Sequence, residues 1–230
     1  MLIKRLALYN GALEARGMTV IIDVFRAFTC EPLLYHFGVR EIVLEYDIEK
    51  CLEMEGNYIR IGENNELPIE GFDLTNSPFH IMEKGKNFFY GRNVIHRTTS
   101  GVLGAVYALE HSEEVILASF NNARATAEYI KNHNPELVSI VSMGIRTKEN
   151  AVEDDYCGDY IESILMGNNF DYYEAVNKIL LNETAQKFLR GDKPYLPKED
   201  PALCLQKDIF DFVLLTKKKD NIIKSIKCEI

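Results

Sequence analysis

Short apolar strands that alternate with helices constrain the fold of this chain more than any other feature. One repeat begins with the β-branched run Thr19–Ile22, which is typical of a strand buried on both faces, and continues with a predicted helix over Arg26–Phe37. Strands linked through helices in this way pair in parallel, with helices on both faces of the sheet. The sequence therefore predicts an α/β protein of three layers, α/β/α, with a mostly parallel or mixed sheet.

Further segments repeat this pattern along the chain. The other predicted strands are Glu41–Glu45, Tyr58–Gly62, Asn93–His96, Glu114–Ala118, Leu137–Ser142 and Phe210–Leu215. The other predicted helices are Asp47–Met54, one opened by Ser77-Pro78, Val102–Glu110, Ala123–Lys131, Val152–Met166 and a helical stretch Tyr172–Leu189. We expect a connector at Lys193–Pro201 and a solvated charge run at Lys217–Asp220. Antiparallel strands or a small second lobe are expected in the loop Glu63–Asn76 or around Gly91, and Met1–Asn10 is predicted as an edge strand or as part of a homodimer contact.

The length and the net charge of the chain limit the functional classes to which it can belong. A chain of 230 residues with 47% hydrophobic content can form one domain over residues 1–230, or two closely packed lobes divided near residues 63–92. A net charge of −9 argues against a nucleic-acid binder, which needs clustered Lys and Arg. No apolar run approaches the roughly 20 residues that span a bilayer, and the amino terminus lacks a signal-peptide core. We expect a cytoplasmic protein that binds neither nucleic acid nor a membrane.

An acid and a guanidinium stand where the strand Thr19–Ile22 ends. Asp23 follows the strand directly, and Arg26 comes at the start of the predicted helix. Open α/β sheets bind ligands at the carboxyl ends of their strands, so the two side chains would face one crevice. The alternative is that Asp23 only caps the helix and Arg26 only neutralises it. Residues from elsewhere in the chain have to decide between these interpretations.

Hydroxyl, amide and glycine residues occupy other turns expected at this edge. They are Thr98, Thr99, Ser100, Gly101, Ser119 and Asn121. Backbone N–H groups at helix starts, together with hydroxyls, suit a phosphate or a sulfonate, although such residues serve more often as plain helix caps. Oxygen ligands that Mg²⁺ prefers are available at Asp23, Glu63 and Asp73, whereas the histidines have no metal-ligand spacing. Taken singly, Glu63 and Asp73 are better explained as loop residues.

These motifs together resemble the 2-phosphosulfolactate phosphatase (ComB) family. The matching stretches, in family order, are VIIDVFRAFT at Val20–Thr29, IEGFDLTNSP at Ile69–Pro78, RTTSG at Arg97–Gly101, ASFNNARATA at Ala118–Ala127 and VEDDYCGDYI at Val152–Ile161. The resemblance implies a ComB-like fold and a Mg²⁺-dependent phosphoric monoester hydrolase. Its expected substrate is a small anionic phosphorylated compound, 2-phospho-3-sulfolactate, cleaved to 3-sulfolactate and phosphate on the route to coenzyme M.

The resemblance also implies a role for each matching residue. The expected metal ligands are Asp23, Glu63 and Asp73. The expected catalytic residues are Asp23, Arg26, Asp73 and Asp154. The expected substrate-binding residues are Arg26, Asn76, Ser77, Thr98, Thr99, Ser100, Gly101, Ser119 and Asn121.

Alternatives stay open for both the mechanism and the substrate. Either an Asp attacks the phosphoryl group directly, or a carboxylate of Glu153 or Asp154 orients a water. The chain departs from the family motifs at Asn64, Ser100 and Val102, where the family has Arg, Asn and Thr. These departures leave two other interpretations: a phosphatase for another small phosphorylated hydroxy acid, and a non-catalytic protein that binds small anions.

Overall fold

A nine-stranded sheet is the centre of the computed structural model, which describes all residues from Met1 to Ile230. Its strands are β1 (Leu2–Ala7), β2 (Met18–Ile22), β3 (Glu41–Leu44), β4 (Tyr58–Gly62), β5 (Asn93–Arg97), β6 (Glu114–Ala118), β7 (Leu137–Ser142), β8 (Phe212–Lys219) and β9 (Ile222–Glu229). They lie in the order β1-β7-β2-β6-β8-β9-β3-β5-β4. The amino-terminal segment is thus the edge strand that one of its two predictions described, and a homodimer contact stays a prediction.

Strand direction divides the sheet into two parallel blocks. Strands β1, β7, β2 and β6 are parallel to one another, and so are β3, β5 and β4. The hairpin β8–β9 lies between the blocks and pairs antiparallel with β6 on one side and β3 on the other. The blocks therefore run in opposite directions across the sheet, and the predicted mixed sheet is confirmed. The prediction that placed antiparallel strands in Glu63–Asn76 or around Gly91 was wrong, because the carboxyl-terminal hairpin supplies them.

The hairpin is hard to recognise in the sequence, because polar residues form its turn and the strand end beside it. The predicted charge run Lys217–Asp220 is the end of β8 and the first residue of the turn. Asp220 and Asn221 have φ angles of 50° and 63°, the left-handed pair that a tight hairpin turn requires and that Asp and Asn tolerate. The preceding part of β8, Phe212–Thr216, is buried throughout, so the strand passes from the core of the sheet into solvent.

Helices cover both faces of the sheet. They are α1 (Leu8–Glu14), α2 (Ala27–His36), α3 (Ile48–Glu53), α4 (Pro78–Lys84), α5 (Lys86–Phe89), α6 (Gly101–Ala108), α7 (Ala123–His133), α8 (Val152–Met166), α9 (Tyr172–Leu181), α10 (Glu183–Leu189) and α11 (Asp200–Cys204). One core cluster packs α1, α2 and α6 on one face, and a second packs α7 and α8 on the other. Neighbouring β2 residues divide between them, Ile21 in the first and Ile22 in the second. This arrangement confirms the three predicted layers.

Three helical details differ from the prediction. The stretch Tyr172–Leu189 forms two helices, because the Asn182 side chain accepts a hydrogen bond from the Thr184 N–H at 3.0 Å and starts α10 afresh. The connector Lys193–Pro201 runs into the short helix α11, and α1 was not predicted.

The strands on both sides of residues 63–92 belong to the one sheet, and a division into lobes there stays a prediction. None of the helices combines the length and apolar character needed to cross a membrane.

The position of β8 in the middle of the sheet makes a test of stability. Leu214 lies in β8 with a fully buried side chain, so we expect Leu214→Ala to lower the free energy of unfolding by about 2–5 kcal/mol. Leu181→Ala removes the same atoms from a side chain that is 80% exposed and should have little effect. Urea denaturation of both variants measures the difference. Equal losses would contradict the central place of the hairpin.

Candidate active site

The carboxyl ends of β2, β4, β5 and β7 meet at one cavity that is partly open to solvent. The two blocks touch there through the Gly101 N–H, which donates to Asp23 Oδ2 at 2.8 Å. Neighbouring strands rotate by roughly 20–25°, so the five pairings from β2 to β5 accumulate about 100–125°. This rotation turns the ends of oppositely directed strands toward each other. The predicted common edge is therefore a junction between two blocks.

Asp23 acts both as a cap and as a wall of the cavity. Its Oδ1 accepts the Ala27 N–H at 3.1 Å, at the start of α2, while Oδ2 takes the Gly101 N–H. Each oxygen has room for one more partner. Burial, with a contribution from the charge of Glu63, raises the pKa of Asp23 to about 6. A Cβ at position 101 would lie 2.7 Å from Asp23 Oδ2, so only glycine allows this approach.

Arg26 is held by a carboxylate that the sequence analysis did not single out. Its Nη1 donates to Asp200 Oδ2 at 2.8 Å and to the Tyr195 carbonyl at 2.9 Å, and both charged side chains are almost fully buried. Its Nη2 points to Asn76 Oδ1 at 3.4 Å. Asp200 Oδ1 in turn accepts the Ser77 hydroxyl at 2.8 Å. The guanidinium is fixed in the cavity wall with Nε and one Nη2 hydrogen still available.

Glu63 faces the cavity from the end of β4. Its Oε1 accepts the Thr99 N–H at 2.6 Å, and Oε2 accepts the Thr99 hydroxyl at 3.0 Å and the Glu66 N–H. These bonds tie the loop after β4 to the loop after β5. A buried carboxylate with several donors keeps a fixed orientation, so Glu63 has the rigidity expected of a ligand or an organiser of the site.

Two neighbouring acids at the start of α8 lie behind Asp23. Asp154 accepts the Val24 N–H through Oδ1 and the Gly144 N–H through Oδ2, both at 2.8 Å, and so joins the loops that follow β2 and β7. Burial, then the charges of Glu153 and Asp23, raise the pKa of Asp154 well above its ordinary value. Burial also raises the pKa of Glu153 to about 7, and the Oε2 of that side chain has no hydrogen-bond partner.

Two cations reach the cavity from elements without a predicted role. Lys187 comes from α10 and Arg146 from the loop after β7, and Glu66 pairs with both. Although burial opposes it, the hydrogen bond and the charge of Lys187 lower the pKa of Glu66 below its ordinary value. The cavity thus contains as many cations as acids, and each charge has an identifiable origin in the fold.

Not every predicted site residue reaches this cavity. Those that do are Asp23, Arg26, Glu63, Asn76, Thr99 and Ser100. Asp73 lies outside: it is exposed, and its Oδ2 accepts the Arg60 N–H at 2.8 Å beside β4. The loop Glu63–Asn76 pairs back along β4, and this path carries Asp73 away from Asp23. The expected grouping of Asp23, Glu63 and Asp73 around one metal ion is therefore not formed.

Four expected substrate contacts hold turns instead. The hydroxyls of Ser77 and Thr98 accept backbone N–H groups at the starts of α4 and α6. The Ser119 hydroxyl accepts the Asn121 N–H at 3.3 Å, and the Asn121 amide donates to carbonyl groups beside α11. None of the four lines the cavity. The capping interpretation describes them, because a helix start next to a strand needs its free N–H groups satisfied.

A magnesium ion fits the remaining acids in one way only. No three Asp, Glu, His or Cys side chains are grouped closely enough to surround a metal. Mg²⁺ in phosphoryl-transfer sites, however, is commonly held by one or two carboxylates, with water and substrate phosphate completing its shell. Asp23 and Glu63 both line the cavity, and the charge of Glu63 raises the pKa of Asp23, so a cation between them would relieve a repulsion. The donor set suits such an ion.

The residues that the sequence analysis missed share a reason. In the sequence, these are charged residues of a predicted connector (Asp200), a predicted loop (Glu66) and a predicted helix (Lys187), where charged residues are ordinarily solvated. Arg146 had a usable signal, because it follows β7, the strand beside β2, and such strand ends line the crevice of an α/β sheet.

Comparison with known proteins agrees with the motifs. The model of a family described as 2-phosphosulpholactate phosphatase matches residues 5–219. A protein of Caldanaerobacter subterraneus subsp. tengcongensis is 36% identical over 90% of this chain and 89% of its own length. A protein of Bacillus subtilis (strain 168) is 29% identical over 94% of this chain and 96% of its own length. Both are named probable 2-phosphosulfolactate phosphatase, and the predicted resemblance is confirmed.

The buried Glu153 makes stability depend on pH. This side chain titrates near 4.5 in an unfolded chain and at about 7 when folded, so the folded state holds the proton more tightly. Stability should therefore fall as the pH rises through this window. Glu153→Gln carries no proton to lose, and we expect it to exceed the wild type by about 3 kcal/mol above the window and to match it below.

Urea denaturation in chelator, at about pH 4.5 and about pH 8, measures this difference. Glu128→Gln is the matched control, because Glu128 is exposed on α7. A gain for Glu153→Gln that is the same at both pH values would contradict the assignment of the raised pKa to Glu153.

Proposed function

Because the chain belongs to the 2-phosphosulpholactate phosphatase family, we propose that it hydrolyses 2-phospho-3-sulfolactate to 3-sulfolactate and phosphate in a Mg²⁺-dependent reaction. The family is one of phosphoric monoester hydrolases, and the substrate and the metal are the finer part of the proposal. The observation that carries it is the meeting of the buried side chains of Asp23, Glu63 and Arg26 in one cavity.

Arg26 is the group best placed to receive the phosphoryl oxygens. Asp200 and the Tyr195 carbonyl use both Nη1 hydrogens and so fix the plane of the guanidinium. The remaining donors can form charge-assisted hydrogen bonds to a phosphate whose charge is spread over its equatorial oxygens. Because Asp200 is aligned by Ser77 and by the Phe79 N–H, this orientation exists before substrate arrives.

Asp23 and Glu63 are the residues that would hold the metal. Each presents a carboxylate oriented by backbone or side-chain donors. When bound, Mg²⁺ would neutralise charge that develops on the phosphoryl group. Two of the three expected ligands, Asp23 and Glu63, are thus in a position to bind the expected Mg²⁺, and Asp73 is not.

Glu153 is better suited than Asp154 to accept a proton from an attacking water. Both oxygens of Asp154 already accept backbone N–H groups, which makes it a positioning residue for the loops after β2 and β7. Glu153 has an unpartnered oxygen and a pKa raised to about 7 by burial. A general base acts best when its pKa lies near the working pH. Glu153 is therefore the acid of this pair that keeps a free oxygen, but neither acid lines the cavity, and direct attack by Asp23 stays the alternative.

Phosphate release from purified protein tests the proposed reaction. The substrates are 2-phospho-3-sulfolactate and 2-phospholactate, each assayed with Mg²⁺ and with chelator. We expect phosphate release in the presence of Mg²⁺ and none with chelator. The kcat/KM should be about tenfold or more higher for the sulfonated compound, equivalent to ~1.4 kcal/mol of transition-state stabilisation. Equal rates would leave the phosphatase and remove the substrate name, and no release from either compound would favour the anion-binding alternative.

Substitution of Asp23 and Asp73 tests whether position at the cavity or presence in a family motif decides which aspartate is catalytic. Asp23→Asn should lower kcat/KM by about 10²–10³, because it removes a charge directed at the phosphoryl site. Asp73→Asn should leave kcat/KM unchanged, because Asp73 lies outside the cavity and asparagine can still accept the Arg60 N–H. Thermal melting would establish that both variants fold. Equal losses in both would return Asp73 to the catalytic site.

A further inference from the structure

One carboxylate forms ion pairs with two of the cations that line the cavity. Glu66 Oε2 lies 3.4 Å from Arg146 Nη2, and Glu66 Oε1 bonds to Lys187 Nζ. Glu66 is the sole ion-pair partner of both cations, whereas Arg26 is paired with Asp200. If Glu66 turned away, two positive charges would face the cavity without partners.

The two cation sites share one aromatic ring. The guanidinium carbon of Arg26 and the Nζ of Lys187 each lie 5.3 Å from the centroid of Phe188. Phe188 is buried and packs edge-on against Phe25, so the ring is a fixed spacer. Because both cations lie beside this ring and both line the cavity, a small molecule with two acid groups could contact Arg26 with one and Lys187 with the other.

The side chain of Glu66 can turn away from the cavity while its backbone stays in place. The backbone is held by the bridge between Asn64 and Leu67, by the Asn65 N–H bond to the Thr99 hydroxyl and by the Glu66 N–H bond to Glu63, but the neighbouring side chains of Asn64, Asn65 and Leu67 are exposed. Lys187, in contrast, is only 17% exposed and is anchored on α10. The acid is thus the movable partner, and the lysine is the fixed one.

We propose that Arg146 and Lys187 form a second anion subsite, which binds the sulfonate or carboxylate that the substrate carries beside its phosphate, and that Glu66 occupies this subsite until the substrate displaces it. The inference rests on the proposed function and assigns residues of this chain to the second acid group of that substrate. Exchange of one anion for another leaves both cations paired, so it avoids the penalty of stranding a partly buried charge.

Kinetics with two kinds of substrate test this subsite. Glu66→Gln should raise kcat/KM for 2-phospho-3-sulfolactate about tenfold, equivalent to ~1.4 kcal/mol, mainly through a lower KM. Lys187→Gln should lower it by a similar factor. Both substitutions should change kcat/KM for isopropyl phosphate, which has no second acid group, by a much smaller factor. Glu70→Gln, an exposed glutamate of the same loop without an ion pair, is the matched control and should behave as wild type.

A binding measurement separates this inference from the proposed reaction. Calorimetric titration with 3-sulfolactate should give tighter binding to Glu66→Gln and weaker binding to Lys187→Gln. If this pattern appears while the wild type hydrolyses neither phosphate ester, the proposed function fails and the subsite stands. If hydrolysis occurs but the two substitutions change both substrates equally, or leave 3-sulfolactate binding unaltered, the subsite is overturned. Glu66→Gly is a second variant that accommodates the φ of 73° at this position, should the first not fold.

Discussion

The buried ion pair between Arg26 and Asp200 is the interaction on which the geometry of the site depends. Burying two charges is unfavourable unless each is fully paired, and here Asp200 also takes the Ser77 hydroxyl and the Phe79 N–H. The pair thus connects the starts of α2, α4 and α11, which are distant in sequence. Removing either partner would strand the other charge, at a cost of about 3–5 kcal/mol. The orientation of the guanidinium is therefore as stable as the fold around it.

The carboxyl-terminal hairpin has a comparable effect at larger scale. By separating two parallel blocks and reversing their directions, β8 and β9 make the site a junction between the blocks. Asp23 comes from one block and Glu63 from the other, and Gly101 forms the hydrogen bond across the junction. Strand twist turns the two sets of carboxyl ends toward each other. The final strands of the chain therefore shape a site to which they contribute no side chain.

This dependence explains how far the sequence could predict the molecule. The α/β layers follow from local periodicity, and Asp23 was found because it follows a buried strand. The hairpin was missed because its lysines have the composition of a surface loop. Asp200 and Lys187 could not be found, because Asp200 becomes buried and Lys187 partly buried only when distant segments pack around them. Asp73 was placed with the metal ligands because it is an oxygen ligand in a matching motif, and the return of its loop along β4 carries it elsewhere.

The balance of acids and cations in the cavity relates the proposed metal site to the proposed anion subsite. Asp23 and Glu63 both line the cavity and neither forms an ion pair, so a divalent ion held by both would relieve the repulsion between them. A phosphate dianion that arrives with such an ion adds no net charge to the cavity. A second acid group on the substrate would add charge, unless it replaces one that is already present. Glu66 is the acid that can leave, because its side chain lies between exposed neighbours and can turn outward while its two cations stay behind. In the proposed subsite, substrate binding would exchange one anion for another at nearly constant charge, so no partly buried cation would lose its partner.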